Sequence, residues 1–211
     1  RNKLMRNKSK LVVFFVIVLS SNITQSYAET AENIVMKTTD QVLSKLNDEK
    51  EALESNPKII YSLINEIVIP NFDFNIMSKW LLGKNWQHAT ELQQKRFVEE
   101  FQTLLIVTYA KALLQYSGEK IEYLPTENSP KPNHQLIKTV VNRAGSKSIP
   151  ISYRMYKNDE NWKVIDIIVD SVSLVSTYRG SFSSAIKKDG FDGLINKLSE
   201  KNTASIKTAS N

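Results

Sequence analysis

Residues 149–170 read Ile149-Pro150-Ile151-Ser152-Tyr153-Arg154-Met155-Tyr156-Lys157-Asn158-Asp159-Glu160-Asn161-Trp162-Lys163-Val164-Ile165-Asp166-Ile167-Ile168-Val169-Asp170, and the fold class turns on this stretch. Ile149, Ile151, Tyr153 and Met155 recur at a period of two, which in a strand puts them on one face. Ile165, Ile167 and Val169 share a face by the same rule. Between them the polar run 158–161 is a hairpin signal. Two paired strands with one apolar face each predict an antiparallel sheet that is covered on that side. Residues 119–124 and 135–142 add two further candidate strands, for a sheet of about four.

Upstream, the period changes from two to that of a helix. From Thr30 to about Leu46, apolar residues recur at Ile34, Val35, Val42, Leu43 and Leu46, on one helical face. Asn56-Pro57 supplies an N-cap and an initial proline for a helix over 59–68 that must stop before Pro70. A short helix over 74–82 should end at Gly83. Thr90 with Gln93 forms a capping box, opening a long helix that runs to about Tyr116. Its apolar positions cover most of its circumference, so it is buried on more than one side or faces something apolar that the chain does not itself supply. Downstream, helices return from Ser173 to about Lys187 and from Gly190 to about Lys201. The last ten residues, 202–211, lack periodicity and are expected to be disordered. Helices, an antiparallel meander and helices again make an α+β fold.

The N-terminus predicts export. Arg1, Lys3, Arg6, Lys8 and Lys10 precede an unbroken apolar run from Leu11 to Leu19, and Ser26-Tyr27-Ala28 offers a small-x-small cleavage site. Nine apolar residues are too few to span a bilayer core, which needs about 20; a retained anchor is the competing reading. Met5 is the candidate start. Residues 1–28 are thus expected to be a cleaved signal peptide and 29–201 a single domain. The whole chain carries 28 basic and 22 acidic residues. Removing five basic residues and no acidic one leaves 23 against 22, so the basic pI belongs to the targeting segment and gives no reason to expect nucleic acid as a partner. Without cysteine, the exported protein has no disulfides and folds on its core alone.

The catalytic inventory is thin. His88 and His134 stand alone in segments that read as loops. Thiolate chemistry is excluded, no histidine cluster suits zinc, and no cofactor motif occurs. Asp166 and Asp170, four apart on a strand, share the face opposite Ile165, Ile167 and Val169. Two carboxylates can perform acid–base work. The structural reading is that one caps the following helix and the other pairs with Arg154 across the hairpin.

An ordered set of strings is more informative: Leu82-Gly83-Lys84-Asn85-Trp86, Ala89-Thr90, the run from Phe97 to Leu105, Thr108-Tyr109-Ala110, Trp162-Lys163-Val164-Ile165-Asp166, Val169 to Val175, Tyr178-Arg179, and Gly190 to Ile195. Together they resemble the MlaC family, also called the toluene-tolerance Ttg2 auxiliary proteins, over about residues 31–201. Ser171 departs from the pattern, since the family more often has glycine there. The resemblance implies a curved antiparallel sheet wrapped by the N- and C-terminal helices with an apolar cavity between, and a periplasmic phospholipid carrier, not an enzyme. It implies phospholipid as cargo rather than cofactor, passed between an outer-membrane lipoprotein–porin complex and an inner-membrane ABC transporter complex to maintain outer-membrane lipid asymmetry.

For such a cargo the apolar faces supply the candidate lining. They are Phe101, Leu105, Tyr109 and Leu113 from the long helix, Ile151, Tyr153 and Met155 from the third strand, and Ile165, Ile167 and Val169 from the fourth, with Val172 and Leu174 near the mouth. Ordinary core packing is the competing reading for each. Two other classes stay open: a small isomerase or hydrolase using Asp166 or Asp170 in a cone-shaped cavity, and an envelope interaction protein with a filled core.

Overall fold

Helix α1, Ala31–Asp48, begins where Thr30 can cap it: the Thr30 hydroxyl accepts the Asn33 N–H at 3.1 Å. The computed structural model describes residues 29–126, 129–143, 145–159 and 161–208; the expected signal peptide lies outside them. After α2, Lys50–Ser55, the Asn56 side chain accepts the Lys58 N–H at 3.3 Å and α3, Ile59–Leu63, follows. A π turn, Ile64–Val68, and a 3-10 turn, Ile69–Asn71, carry the chain past Pro70. Helix α4, Phe74–Leu82, is capped by the Asp73 carboxylate on the Ile76 N–H at 2.8 Å. It ends at Gly83, whose φ of +53° few other residues adopt. Helix α5, Lys84–His88, leads into α6, Glu91–Leu114, which opens with both halves of the Thr90–Gln93 capping box.

The sheet is an antiparallel meander in the order β1 (Lys120–Tyr123), β2 (His134–Asn142), β3 (Ile149–Asn158), β4 (Asn161–Val169) and β5 (Val172–Ser173). It has five strands, one more than expected, because β5 is a two-residue strand at a position that reads as the start of a helix. The turn into it, Asp170-Ser171, has φ of +47° and +70°. Positive φ at both central residues is what a two-residue hairpin with the native twist requires, a conformation that glycine at 171 would adopt more easily than serine. Asp170 is therefore a turn residue, exposed beside Lys147 at 3.9 Å, and does not continue the Asp166 face.

A second correction concerns β4. Met155 pairs with Val164 and Arg154 with Asp166, which leaves Ile165 as the extra residue of a bulge. Ile165 packs into the helical core, whereas Ile167 packs on the α1 side, so the two do not share a face. A third concerns the C-terminus. Helix α7, Leu174–Thr208, breaks at Gly190 (φ +74°) and then runs on through most of the segment expected to be disordered. Its anchor there is Asn202, buried, whose amide donates to the Glu100 carbonyl at 2.9 Å and carboxylate at 2.8 Å. Residues 209–211 lie outside the described residues.

Three apolar clusters form. The largest joins α4, α6 and α7 to Ile165 and contains Phe97 and Phe101, both fully buried and stacked at 5.8 Å. The second joins α1, α2, α3 and the C-terminal half of α6. The third seats Ala31, Ile34 and Val35 of α1 against Ile137, Met155 and Val164 of the sheet.

Asp166 ties β4 to α7. Its carboxylate accepts from the Ser173 hydroxyl at 2.7 Å and the Val175 N–H at 3.2 Å, and Ser173 in turn accepts the Ser176 N–H at 3.1 Å. Arg154 lies across the strand pair at 4.0 Å. One carboxylate therefore performs both structural roles, capping and pairing, that the sequence divides between Asp166 and Asp170.

Two stability outcomes follow. Ser171→Gly removes the positive-φ penalty of a β-carbon and should stabilise by about 0.5–1 kcal/mol, read as a higher denaturant midpoint at unchanged slope. Asp166→Ala strips the cap and leaves buried donors unmet, for a loss of about 2–3 kcal/mol. Asp166→Asn keeps an acceptor oxygen and should lose about half of that or less; equal losses for the two variants would show that the hydrogen bonds are not what Asp166 contributes.

Candidate functional site

A site for an apolar ligand needs wall that packing has not already sealed. At 100° per residue, Phe97, Phe101 and Leu104 of α6 share the face turned to the first cluster, while Ile106 and Ala110 face the second. Between these faces runs a strip of Val98, Gln102, Leu105, Tyr109 and Leu113. Val98, Gln102 and Leu113 are half-buried, Leu105 is buried and Tyr109 is 37% exposed. The unusually apolar circumference of this helix thus resolves into two sealed faces and, between them, a strip that packing closes at Leu105 and leaves partly open at Val98, Gln102, Tyr109 and Leu113.

Two tyrosines show the character of the space. Tyr109 keeps more than a third of its surface, yet burial pushes its hydroxyl up to about 12, helped by the Tyr178 phenol beside it. On the sheet, Tyr153 is half-buried by surface, yet burial pushes its hydroxyl up to about 12 as well, with a hydrogen bond to Thr139 partly offsetting the shift. Each phenol thus keeps accessible surface while its hydroxyl is largely desolvated. Around Tyr153, Ile151, Ile167 and Val169 also retain surface, although β3 and β4 are inner strands of the sheet.

The expected lining residues are distributed over the fold instead of converging on one cavity. Phe101, Leu105 and Ile165 belong to the first cluster, and Phe101 is enclosed by the rings of Phe74, Phe97, Tyr178 and Phe182, which leave it no surface for a ligand. Leu113 packs on the second cluster; Met155, with Tyr153 and Ile167, belongs to the third. Ile151 pairs with Val169 farther along the sheet. Val172 is 58% exposed on β5, and Leu174 is buried at the start of α7.

Sequence reading missed the segment between α3 and α4. Ile69 packs on both helical clusters, and Phe72 packs on the first and third. These residues floor a cleft of about 420 Å³ with Phe74 and Val98, under a rim that includes Lys163. The only advance signal was turn chemistry, Pro70-Asn71 followed by the capping Asp73. A second recess of about 660 Å³ beyond the end of α6 is lined by polar groups, among them Glu119, Lys120 and Arg143. None of the expected lining residues touches either recess.

Reactive groups do not gather at these places. The His134 ring lies edge-on to Tyr156 at 5.1 Å, with Nδ1 3.0 Å from the Pro132 carbonyl, and His88 is exposed. The Asp166 carboxylate is occupied by Ser173 and Val175. Among the described residues, no group of three or more His, Asp or Glu could hold a metal ion, and no helix is long and apolar enough to cross a membrane.

Comparison with known proteins places this geometry. The chain is 29% identical over 166 residues to the toluene tolerance protein ttg2D of Pseudomonas putida, covering 78% of this chain and 77% of the relative. It is 21% identical over 203 residues to the intermembrane phospholipid transport system binding protein MlaC of Haemophilus influenzae, covering 94% and 95%. A solved phospholipid-binding protein from Ralstonia solanacearum, in complex with a phospholipid, superposes with a TM-score of 0.77 at 28% identity, over 83% of this chain and 98% of that one. Residues 36–200 match the family model described as MlaC protein, and with a fold and a sequence that agree over nearly all the described residues, the chain belongs to the MlaC family.

Proposed function

We propose that this protein is a phospholipid carrier of the periplasm, exchanging lipid between an outer-membrane lipoprotein–porin complex and an inner-membrane ABC transporter complex and so helping to maintain outer-membrane lipid asymmetry. The observation that carries this reading is the half-buried strip of α6 around Tyr109, which runs between two sealed cores and passes over Leu105. The phospholipid in the structurally similar Ralstonia protein supports it. So does the engagement of Asp166, one of the two carboxylates that an enzyme reading would use, in hydrogen bonds within the fold.

The physical task is to lower a solvation barrier. Each acyl methylene taken out of water is worth about 0.8 kcal/mol, so a chain of ~16 carbons faces roughly 12 kcal/mol when dragged bare through water. An interior about as apolar as a bilayer removes that barrier and leaves net transfer close to neutral. Direction must then come from the donor and acceptor complexes.

Protein purified from a Gram-negative host should carry non-covalent phospholipid, detected by mass spectrometry after solvent extraction; a folded, empty protein unable to take lipid from vesicles would refute the carrier reading. Leu105→Glu tests the strip. A carboxylate there can reach water only if the recess is real and empty, so the variant should stay folded by circular dichroism while lipid occupancy falls more than about tenfold. Unfolding would assign Leu105 to plain core, and full occupancy would remove it from the site. Folded Asp166→Asn protein should transfer lipid at close to the wild-type rate; a large loss would favour catalysis.

A further inference from the structure

Beside the last turn of α4, two guanidiniums flank one exposed indole. Trp80 keeps 36% of its surface. The Arg154 guanidinium lies over its ring, 5.9 Å from the centroid. Arg179 of α7 donates from Nη2 to the Trp80 carbonyl at 2.6 Å, one of the carbonyls that the end of α4 leaves without an intrahelical donor. That bond fixes Arg179 but uses little of its donor capacity. Arg154 is committed even less. Among the described residues its guanidinium makes no hydrogen bond, and its Nε is buried without an acceptor. Among the same residues Asp166 is the only carboxylate within 4.0 Å of either guanidinium, and its two oxygens already serve Ser173 and Val175. On the sheet, Leu136 pairs with Arg154, so the two share a face with Tyr156, and all three are half-buried. Both cations thus hold charge that no surface carboxylate of the fold answers.

We infer that this surface docks an acidic segment of a partner protein, whose carboxylates take Arg154 and Arg179 while an apolar side chain lies on Trp80 and Leu136. Charge complementarity selects the sign of the partner. Tryptophan and arginine are the side chains most enriched where a few residues carry most of an interface's affinity. Both guanidiniums are held before docking, one by the ring and one by the helix carbonyl, so little side-chain freedom is lost on binding. A guanidinium receives a carboxylate through two parallel N–H groups, which favours discrete acidic side chains over diffuse charge. An anionic bilayer fits less well. Without residues 1–28 the chain carries 23 basic residues against 22 acidic ones, so its general attraction to such a surface is slight. Arg154 points to the sheet face opposite Tyr153, so this surface is separate from the proposed lipid recess and goes beyond the carrier reading.

The test is a titration of the full-length mature protein with a blocked octapeptide of six glutamates flanking a leucine–phenylalanine pair. Binding is followed through the side-chain N–H signals of tryptophan and arginine in heteronuclear NMR. Saturable shifts of Trp80, Arg154 and Arg179 are expected, weakening as salt is raised. The same peptide with glutamine in place of glutamate should bind about tenfold more weakly or worse. Arg179→Gln and Trp80→Leu, neither of which removes a partner of Asp166, should each weaken the acidic peptide about three- to tenfold. Circular dichroism and bound lipid should stay unchanged in both. Arg179→Lys keeps the charge without the planar fork and should recover part of the loss. No saturable binding below about 5 mM, equal binding of the glutamine peptide, or wild-type affinity in both variants would overturn the docking surface. So would phosphatidylglycerol vesicles that shift the same signals more strongly than the peptide, since the face would then be one for membranes. Lipid loading is measured separately, so a failed titration leaves the carrier reading as it stands.

Discussion

The segment from Ile69 to Asp73 is the constraint on which the rest of the molecule depends. The Asp73 N–H donates to the Val164 carbonyl at 3.0 Å, beside the Phe72–Val164 bridge, and so ties the helical half to β4. The Asn71 amide donates to the Thr38 hydroxyl and the Ile67 carbonyl, both at 2.9 Å, and so ties it to α1 and the π turn. Lys163 holds the Pro70 carbonyl. Ile69 and Phe72 reach all three apolar clusters. Pro70 limits the backbone freedom of a connector that would otherwise be a plain loop.

Joining clusters through a connector has a different consequence from merging them. A merged core would approach organic-crystal density and leave no room for a guest. Here each cluster is sealed locally, the first with a set of edge-on and stacked phenylalanine rings. Stability and capacity are thereby assigned to different residues. Phe97 and Phe101 contribute stability, each of a kind that costs about 3–5 kcal/mol when truncated. Tyr109 and Tyr153 line surface that packing leaves available. The tyrosines suit that position, since their rings are apolar and each hydroxyl finds a protein partner, Tyr178 or Thr139, without water.

How legible this was depended on the range of the interaction that decides each feature. The capping box at Thr90, the Gly83 stop and the 158–161 hairpin are fixed within a few residues, and they stand where local chemistry puts them. The Ile165 bulge is not local: a period of two read along β4 cannot reveal that its partner strand skips a residue. The same holds for β5, whose two residues are a strand only because Val169 and Ile168 are there to pair with. The helix beyond residue 201 depends on Glu100, about a hundred positions away, meeting Asn202. For the site, the α6 residues were identifiable as too apolar for one buried stripe. Which of them were sealed depended on where α4 and α7 packed.

The positive φ at Ser171 and the burial of Asp166 are linked by the same short piece of chain. The Asp170-Ser171 turn must reverse within two residues so that Ser173 arrives beside Asp166. Only then can the serine hydroxyl accept from Ser176 while donating to the carboxylate, and the Val175 N–H reach the other oxygen. This fixes the N-terminus of α7 against β4, and α7 carries Tyr178 to Tyr109. The register of a two-residue turn thus sets the position of a phenol on the wall of the proposed lipid recess. A carboxylate that reads as a catalytic candidate in isolation is better explained as the anchor that keeps that wall in place.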